Sequence, residues 1–344
     1  MKVSTHASRA AHGGLHLAVL LGLAVAFFFL LGTTPARAGS TAVTTCGQVL
    51  GAAGEYELTR DVGPCQGDGV VIAASGVHLT LAGHTISGVN PPSVCNFKTS
   101  TATQAGVRAE GPFTDLRING GTITGFAQDI RLVGLPTAPL AFTVTAMTIT
   151  DSCELGIAVH FAEDGLIATS VVTGNGLDGI GLVGAGVGVL QNITIEDNHI
   201  SGNARFGILD EGNNIIIRGN IVNGNAALFT GAGIVIFRND NTINGNSVNN
   251  TNVPPGAVGA AGIIVESGAQ GNVVTGNTAN GNVTGIDIER NASSNNIKGN
   301  IAHGNSIADL QDANPACDAN TWKANTFDTA LVAGVAVGNA GCIH

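Results

Sequence analysis

Residues 218–250, RGNIVNGNAALFTGAGIVIFRNDNTINGNSVNN, hold Gly-Asn twice within seven residues, then a Gly-Ile-Val-Ile run, then Gly-Asn again. The same phrase returns as DNHISGN at 197–203, GNIVNGN at 219–225, GNSVNNT at 245–251, GNTANGN at 276–282 and GNIAHGN at 299–305. Its leading Asn falls at 198, 220, 246, 277 and 300, so the gaps are 22, 26, 31 and 23. A period this long and this elastic describes a solenoid whose turns carry insertions of different length.

Each phrase is followed by a short apolar segment with two-residue alternation: GILDE at 207–211, GIVIF at 233–237, GIIVE at 262–266 and GIDIE at 285–289. Weaker copies stand upstream as GIAVH at 156–160 and GIGLV at 179–183, and LTLAGHTISG and LRINGGTITG read as opening turns. Runs of three to five residues bounded by Gly and Asn predict strands, because a helix needs a longer stripe of period 3.6. Stacking one such strand per turn builds parallel ladders about 4.8 Å apart. The bends between strands need positive φ, which Gly and Asn both accept. Stacked Asn side chains can also hydrogen-bond from coil to coil. The Asn signal is thus structural first. The expected architecture is all-β, a parallel β-helix of about nine to ten coils.

Composition bounds the function. Lys2 and Arg9 precede an apolar run from Leu17 to Gly32, and TTPARAGS follows with Ala36-Arg37-Ala38 as a small-x-small cleavage site. That pattern predicts a signal peptide over 1–38 and one domain over 39–344, which places the protein in a secreted, periplasmic or cell-surface setting, with no membrane association after cleavage. Six Cys, at 46, 65, 95, 153, 317 and 342, then read as disulfides. Cys46 with Cys65 and Cys317 with Cys342 are close in the chain and would staple its ends, which leaves Cys95 with Cys153. Each terminal loop would contribute about 3 kcal/mol. A net charge of -10 with 11% charged residues excludes a basic face for nucleic acid. Oligomeric state is not encoded in any feature of the chain.

From about Val43 onward the sequence resembles right-handed parallel β-helix proteins of the pectin-lyase-like superfold, and more closely the secreted bacterial proteins with repeated β-helix coils. The resemblance rests on CQGDGVVIAASGVHLTLAGHTISG at 65–88, on the Gly-Asn and Gly-Ile coils, and on ADLQDANPACDANTWKANTFDTA and GCIH at 308–330 and 341–344. It implies right-handed coiling and a substrate that is a polysaccharide or cell-wall polymer, handled on the outer face of one sheet by acidic side chains from neighbouring coils. Lyases of this kind hold Ca²⁺ between such carboxylates and use Arg or Lys as the base. Ca²⁺ is therefore the one cofactor the resemblance implies, while the residues themselves fix none and no metal site can be assigned.

Applied to the Gly-Ile strands, period-two alternation turns Ile208, Ile234, Ile236, Ile263, Val265, Ile286 and Ile288 inward. The fourth position after Gly then forms an outer column of His160, Val183, Glu211, Phe237, Glu266, Glu289 and Leu310, with Asp287 beside Glu289. Glu289, Glu266, Asp287 and Arg290 are the candidate catalytic groups. Glu211, Phe237, Arg238 and His160 are the candidate substrate contacts. The bland account of the same patch is a solvated sheet face with weak ion pairs. Asp210 falls at an inward position, which implies a bulge or a polar contact, and Asp309 at a similar place in the terminal coil reads as capping.

His78, His84, His199 and His303 stand alone in turns or beside strands, without ligand spacing. The resemblance extends loosely to periplasmic β-helix proteins that assist copper delivery, but copper transfer favours Met and reduced Cys, and Met147 is the one Met left after cleavage. GVGVLQNITI at 186–195 is Gly-rich yet precedes a strand, where a phosphate loop needs a helix. Two functions remain: a protein that binds an extracellular polysaccharide and acts on it as a lyase, hydrolase or epimerase, and a non-catalytic surface or matrix module.

Overall fold

A computed structural model describes residues 39–89, 104–184, 189–251, 260–317, 319–336 and 341–344. The expected signal peptide, and Cys95 with its expected bond to Cys153, lie outside the described residues. Over the described residues the chain winds as a parallel β-solenoid of about ten turns. An 18-stranded sheet creased along one corner supplies two faces, and a 13-stranded sheet supplies the third. One coil shows the pattern: Ile216–Arg218 lies on the first face, Ile221–Asn223 on the second and Ala232–Ile236 on the third. The third face is built from the Gly-Ile strands.

Rungs stack in strict register. Ile208 pairs with Ile234, Ile234 with Ile263, Ile263 with Ile286, and Ile286 with Leu310. All five are fully buried, and the inward residues of the other two faces join them in one continuous core. Each such side chain withdrawn from water stabilises by about 1.5–3 kcal/mol, and thin coils of Ile, Val and Leu leave little room for aromatic rings. Leu310 corrects the sequence reading: it is a core residue, and Gln311 is the outward one beside it.

The corners explain why Gly and Asn travel together. Asn198, Asn220, Asn246, Asn277 and Asn300 form a buried ladder, each Nδ2 donating to the Oδ1 of the next coil at 2.9–3.1 Å, and the last donating to Asn325. Each Oδ1 also accepts the backbone N–H of the preceding rung, for example Asn246 N–H to Asn277 Oδ1 at 2.9 Å. Positive φ belongs to the residue before each ladder Asn, with Gly219, Gly245, Gly276 and Gly299 at 63–65° and Asp197 at 54° in the same place. The ladder asparagines do not share it. Gly bends the chain, and Asn satisfies the backbone that the bend would otherwise strand.

Two more ladders run down the other corners, Asn175–Asn203–Asn225 and Asn272–Asn295–Asn320. The Gly that opens each Gly-Ile strand makes room for the first of these. A Cβ on Gly262 would come within 2.8 Å of Asn282 Nδ2, and one on Gly207 within 2.9 Å of Asn225 Nδ2.

The Asn198 and Asn272 ladders point their amide donors toward the C-terminal end and stop on acceptors; the third ladder runs to Asn225, and Asn305, further along the same row past Thr251 and Asn282, ends on one too. Asn305 donates to Asp309, Asn320 to Asp312 and Asn325 to the carbonyl oxygen of His344. Asp312, fully buried, also accepts the indole N–H of Trp322 at 2.9 Å. Asp309 is a buried cap of the terminal coil, with five donors around its carboxylate. Disulfides join Cys46 to Cys65 and Cys317 to Cys342. An antiparallel strand pair, Ala330–Val332 with Val335–Ala336, lies next to the last rung.

Asp210 does point inward. Its Oδ1 accepts the N–H of Gly212 at 2.8 Å, while Oδ2 is buried without a partner. Burial pushes this carboxyl up to about 8, against a slight relief from Gly212. Because the folded state holds the proton more tightly than the unfolded one, the stability it contributes is complete below the ordinary value of 3.8 and drains away as pH rises toward about 8. Asp210→Asn should therefore flatten the pH dependence of the melting temperature between pH 4 and 8 and raise stability most at the alkaline end. In the ladder, Asn277→Ala orphans buried donors and acceptors on two neighbouring coils and should cost about 3 kcal/mol in chemical denaturation. Exposed Asn244→Ala on the first face should stay within about 0.5 kcal/mol; equal costs would remove the ladder from the account.

Candidate functional site

Register on the Gly-Ile sheet aligns one outer column from Val71 through Arg108, Arg131, Ala158, Gly181, Leu209, Val235 and Ile264 to Asp287 and Gln311. Three zones follow one another along it.

The first is charged and paired. Arg108 meets Asp68 through Nε and Nη2 at 2.9 and 2.7 Å, and Glu110 at 3.2 Å. Arg131 donates to Glu110 at 2.7 Å and to Gln128 at 3.0 Å, and Gln128 donates to Glu154. His160 sits in the next column along, on the rung after Val133. Burial, and then Arg131, hold its imidazole below the usual value, so it is neutral at neutral pH. Of this zone the sequence reading identified His160 alone. Extending the same alternation upstream, through GVRAE at 106–110 and DIRLV at 129–133, would have found both arginines.

The middle zone is apolar although it faces outward. Leu209, Ala232 and Val235 are buried there, with Val183, Phe206, Phe237 and Ile264 packed against them. A Cβ at Gly181 would meet Leu155 Cδ2 at 2.4 Å, so the Leu155 side chain covers the gap that Gly leaves. Arg205 lies over the Phe206 ring at 4.6 Å and is held there by both carboxylate oxygens of Asp178. Phe237 belongs to this platform.

Carboxylates make up the third zone. Val265 pairs with Ile288, and Ile264 with Asp287, so Glu266 follows directly above Glu289 with Asp287 beside them. Burial pushes the Asp287 carboxyl up to about 7, helped by Glu289 and then Glu266, against a hydrogen bond from Gln311. Its Oδ1 is buried without a partner. Glu266 is raised as well, by burial first and by Glu289 second. Three like charges on adjacent rungs thus leave one of them protonated near neutrality, or hold a cation in place of the proton.

The remaining candidates are set apart. Glu211 stands two rungs from Glu266 with Phe237 between, and its Oε2 accepts the N–H of Gly184 at 2.8 Å. Arg238 and Arg290 are exposed, and neither forms a salt bridge with a described residue. A separate groove of about 400 Å³, lined by Asp115, Arg117, Thr143 and Asp164 among others, opens on the first face. Nothing in the sequence pattern marked it, since its residues come from irregular early coils.

Residues 137–302 match the family described as right handed beta helix region. The described coils have that family's architecture, a parallel β-helix, which the family description gives as right-handed over the matched residues. Among curated proteins none matches the sequence. The A-module of mannuronan C-5 epimerase AlgE4 from Azotobacter vinelandii has a similar structure at 15% identity and a TM-score of 0.54, over 86% of each chain. The AlgE6 A-module from the same organism is similar at 14% identity and a TM-score of 0.50, over 86% of this chain and 88% of that one. The Dettilon tailspike protein is similar at 20% identity and a TM-score of 0.52, over 76% of this β-helix and 59% of the tailspike. At identities this low the likeness shows a shared fold alone.

Electrostatics in the acidic zone can be read directly. Carboxyl titration by NMR should place Asp287 near pH 7, and Glu289→Gln should lower that midpoint more than Glu266→Gln does, following the order of the two influences. An unmoved midpoint in both variants would mean that the three groups do not share a site.

Proposed function

We propose that the protein binds a polysaccharide along the outer face of the Gly-Ile sheet and acts on it by acid–base chemistry, with Asp287 as proton donor and Glu289 as its partner carboxylate. The observation that carries this is the half-buried Asp287 side chain, its carboxyl pushed up to about 7 with one buried oxygen unpartnered, beside Glu289 on its own rung and Glu266 on the adjacent one. Environments that drive neighbouring carboxyls apart in this way separate an acid from a base. The apolar platform of Phe237, Val235, Leu209 and Ile264 lies next to it on the same face. Sugar rings have apolar faces that such a platform can seat, while their hydroxyls reach the acids.

Several facts support the reading. The fold is one on which a mannuronan epimerase is built, and mannuronan is a polysaccharide. Two disulfides, with no free cysteine among the described residues, suit an exported protein that meets its substrate in an oxidising compartment. Hydrolase chemistry fits better than lyase chemistry, because Arg290, the cation that follows the acids in the chain, is exposed and forms no salt bridge with a described residue, so nothing there holds it against a substrate as a base.

The carboxylates would also fit Ca²⁺. Hard oxygen donors, raised proton affinities and an unpartnered buried oxygen are what such a cation would relieve. Glu266, Asp287 and Glu289 would hold it, and it would supply charge neutralisation. One observation favours the rival, a non-catalytic binding module: Glu211 is already committed to a backbone N–H, so the acidic groove is shorter than its sequence suggests.

A glycan panel assayed for new reducing ends and for unsaturated products tests the proposal. Turnover should fall as pH rises through about 7, where Asp287 loses its proton, and Asp287→Asn or Glu289→Gln should each lower the rate by about 100-fold or more. Rates that survive both substitutions would move the site. Binding without turnover on every glycan would leave the module, and loss of activity in EDTA would replace the shared proton by Ca²⁺.

A further inference from the structure

We propose that His303, Asp309 and Asp328 form a binding site for a divalent transition-metal ion of the Zn²⁺ class at the corner of the last two coils, where Asp309 stands opposite Gly285 on the strand next to the one carrying Asp287. One ligand atom from each residue lies within 4.8 Å of the other two. His303 Nδ1 already meets Asp328 Oδ2 at 2.9 Å. Ligand atoms about 2.0–2.2 Å from a common Zn²⁺ lie roughly 3.3–3.6 Å apart in a tetrahedral site, so the His303–Asp328 pair must open and the wider separations close, and Asp328, 71% exposed, is free to rotate.

The three residues are departures from the repeat that converge on one spot. His303 and Asp328 occupy a row on the second face that runs Thr173, Ser201, Asn223, Asn249 and Asn280 before them, all uncharged. Asp309 occupies a column that is Gly at 179, 207, 233, 262 and 285. Replacing Asn by His and Gly by Asp serves no purpose in turning the coil, where the repeat residues already suffice. Capping alone explains Asp309, but not a His two residues before the Asn that donates to it.

Asp309 is already oriented as a ligand should be. Asn305 donates to Oδ1, while Asp328 N–H, Thr329 N–H and the Thr329 hydroxyl donate to Oδ2. These bonds fix the carboxylate, as outer-shell hydrogen bonds do around metal-bound carboxylates. The Thr329 hydroxyl is the donor that can turn away when an ion arrives. One imidazole nitrogen with two carboxylate oxygens favours Zn²⁺ over Ca²⁺, which takes six to eight oxygens. The exposed side leaves positions for water.

The test uses the full exported chain, freed of metal with EDTA and dialysed, then titrated with ZnCl₂ or CaCl₂ in a calorimeter and melted with each ion. Zn²⁺ should bind one per chain and raise the melting temperature by several degrees, and Ca²⁺ should do neither at equal concentration. His303→Ala and Asp328→Asn should each abolish the Zn²⁺ effects while leaving the metal-free melting temperature within about 2 °C. Asp328→Asn changes an exposed side chain and remains informative if the histidine variant folds poorly. His78→Ala, at the other His with two carboxylate neighbours, should leave Zn²⁺ binding intact. Absence of saturable Zn²⁺ binding, or full binding in Asp328→Asn, would overturn the site and leave the cluster as an end cap.

Discussion

The constraint on which this structure depends is the hydrogen bond from one buried asparagine amide to the next coil's asparagine carbonyl. A solenoid corner strands a backbone N–H in every turn, and three corners per turn would accumulate an intolerable number of unsatisfied groups. The ladder answers each of them with a side chain that stacks at the same spacing as the strands. It also fixes the register, because a coil slipped by one residue would set Gly where Asn must be. Periods that vary between 22 and 31 residues are then harmless. The extra residues bulge outward between corners that stay aligned.

A ladder of parallel amides has a direction, and that direction gives the two ends of the molecule different needs. At the C-terminal end three rows of N–H donors converge, and Asp309, Asp312 and the His344 carbonyl receive them. Negative charge is stabilised there for the same reason that anions favour the N-terminus of a helix. The buried acids of the last coils, which look costly in isolation, are the electrostatic complement of everything stacked above them. Asp210 has no such complement and accepts from one nearby N–H alone.

Register also lines up the outer face. Arginines, then aliphatic and aromatic side chains, then carboxylates succeed each other down one sheet, although the sequence scatters them over some 180 positions between Arg108 and Asp287. Glu266 and Glu289 become neighbours because their strands pair, and Asp287 feels both because a rung is about 4.8 Å high. The chemistry of the face is thus a consequence of stacking, and the pKa of Asp287 is a property of three coils together.

The repeat was legible in the chain because its punctuation is local: Gly-Asn bends and Gly-Ile strands each announce themselves within seven residues. From that the sequence determined the fold class, the stacked order of the coils, the inward set Ile208 to Ile288, the terminal disulfides and the adjacency of Glu266 to Glu289. The tertiary structure alone decided that Gly takes the positive φ while Asn takes the hydrogen bonds, and that Leu310 turns inward. It also decided that Glu211 is tied to Gly184, that Arg108 and Arg131 extend the outer face, and that His303 pairs with Asp328 close to Asp309. Those outcomes depend on distances across coils and on burial. Neither is carried by the spacing of residues along one strand.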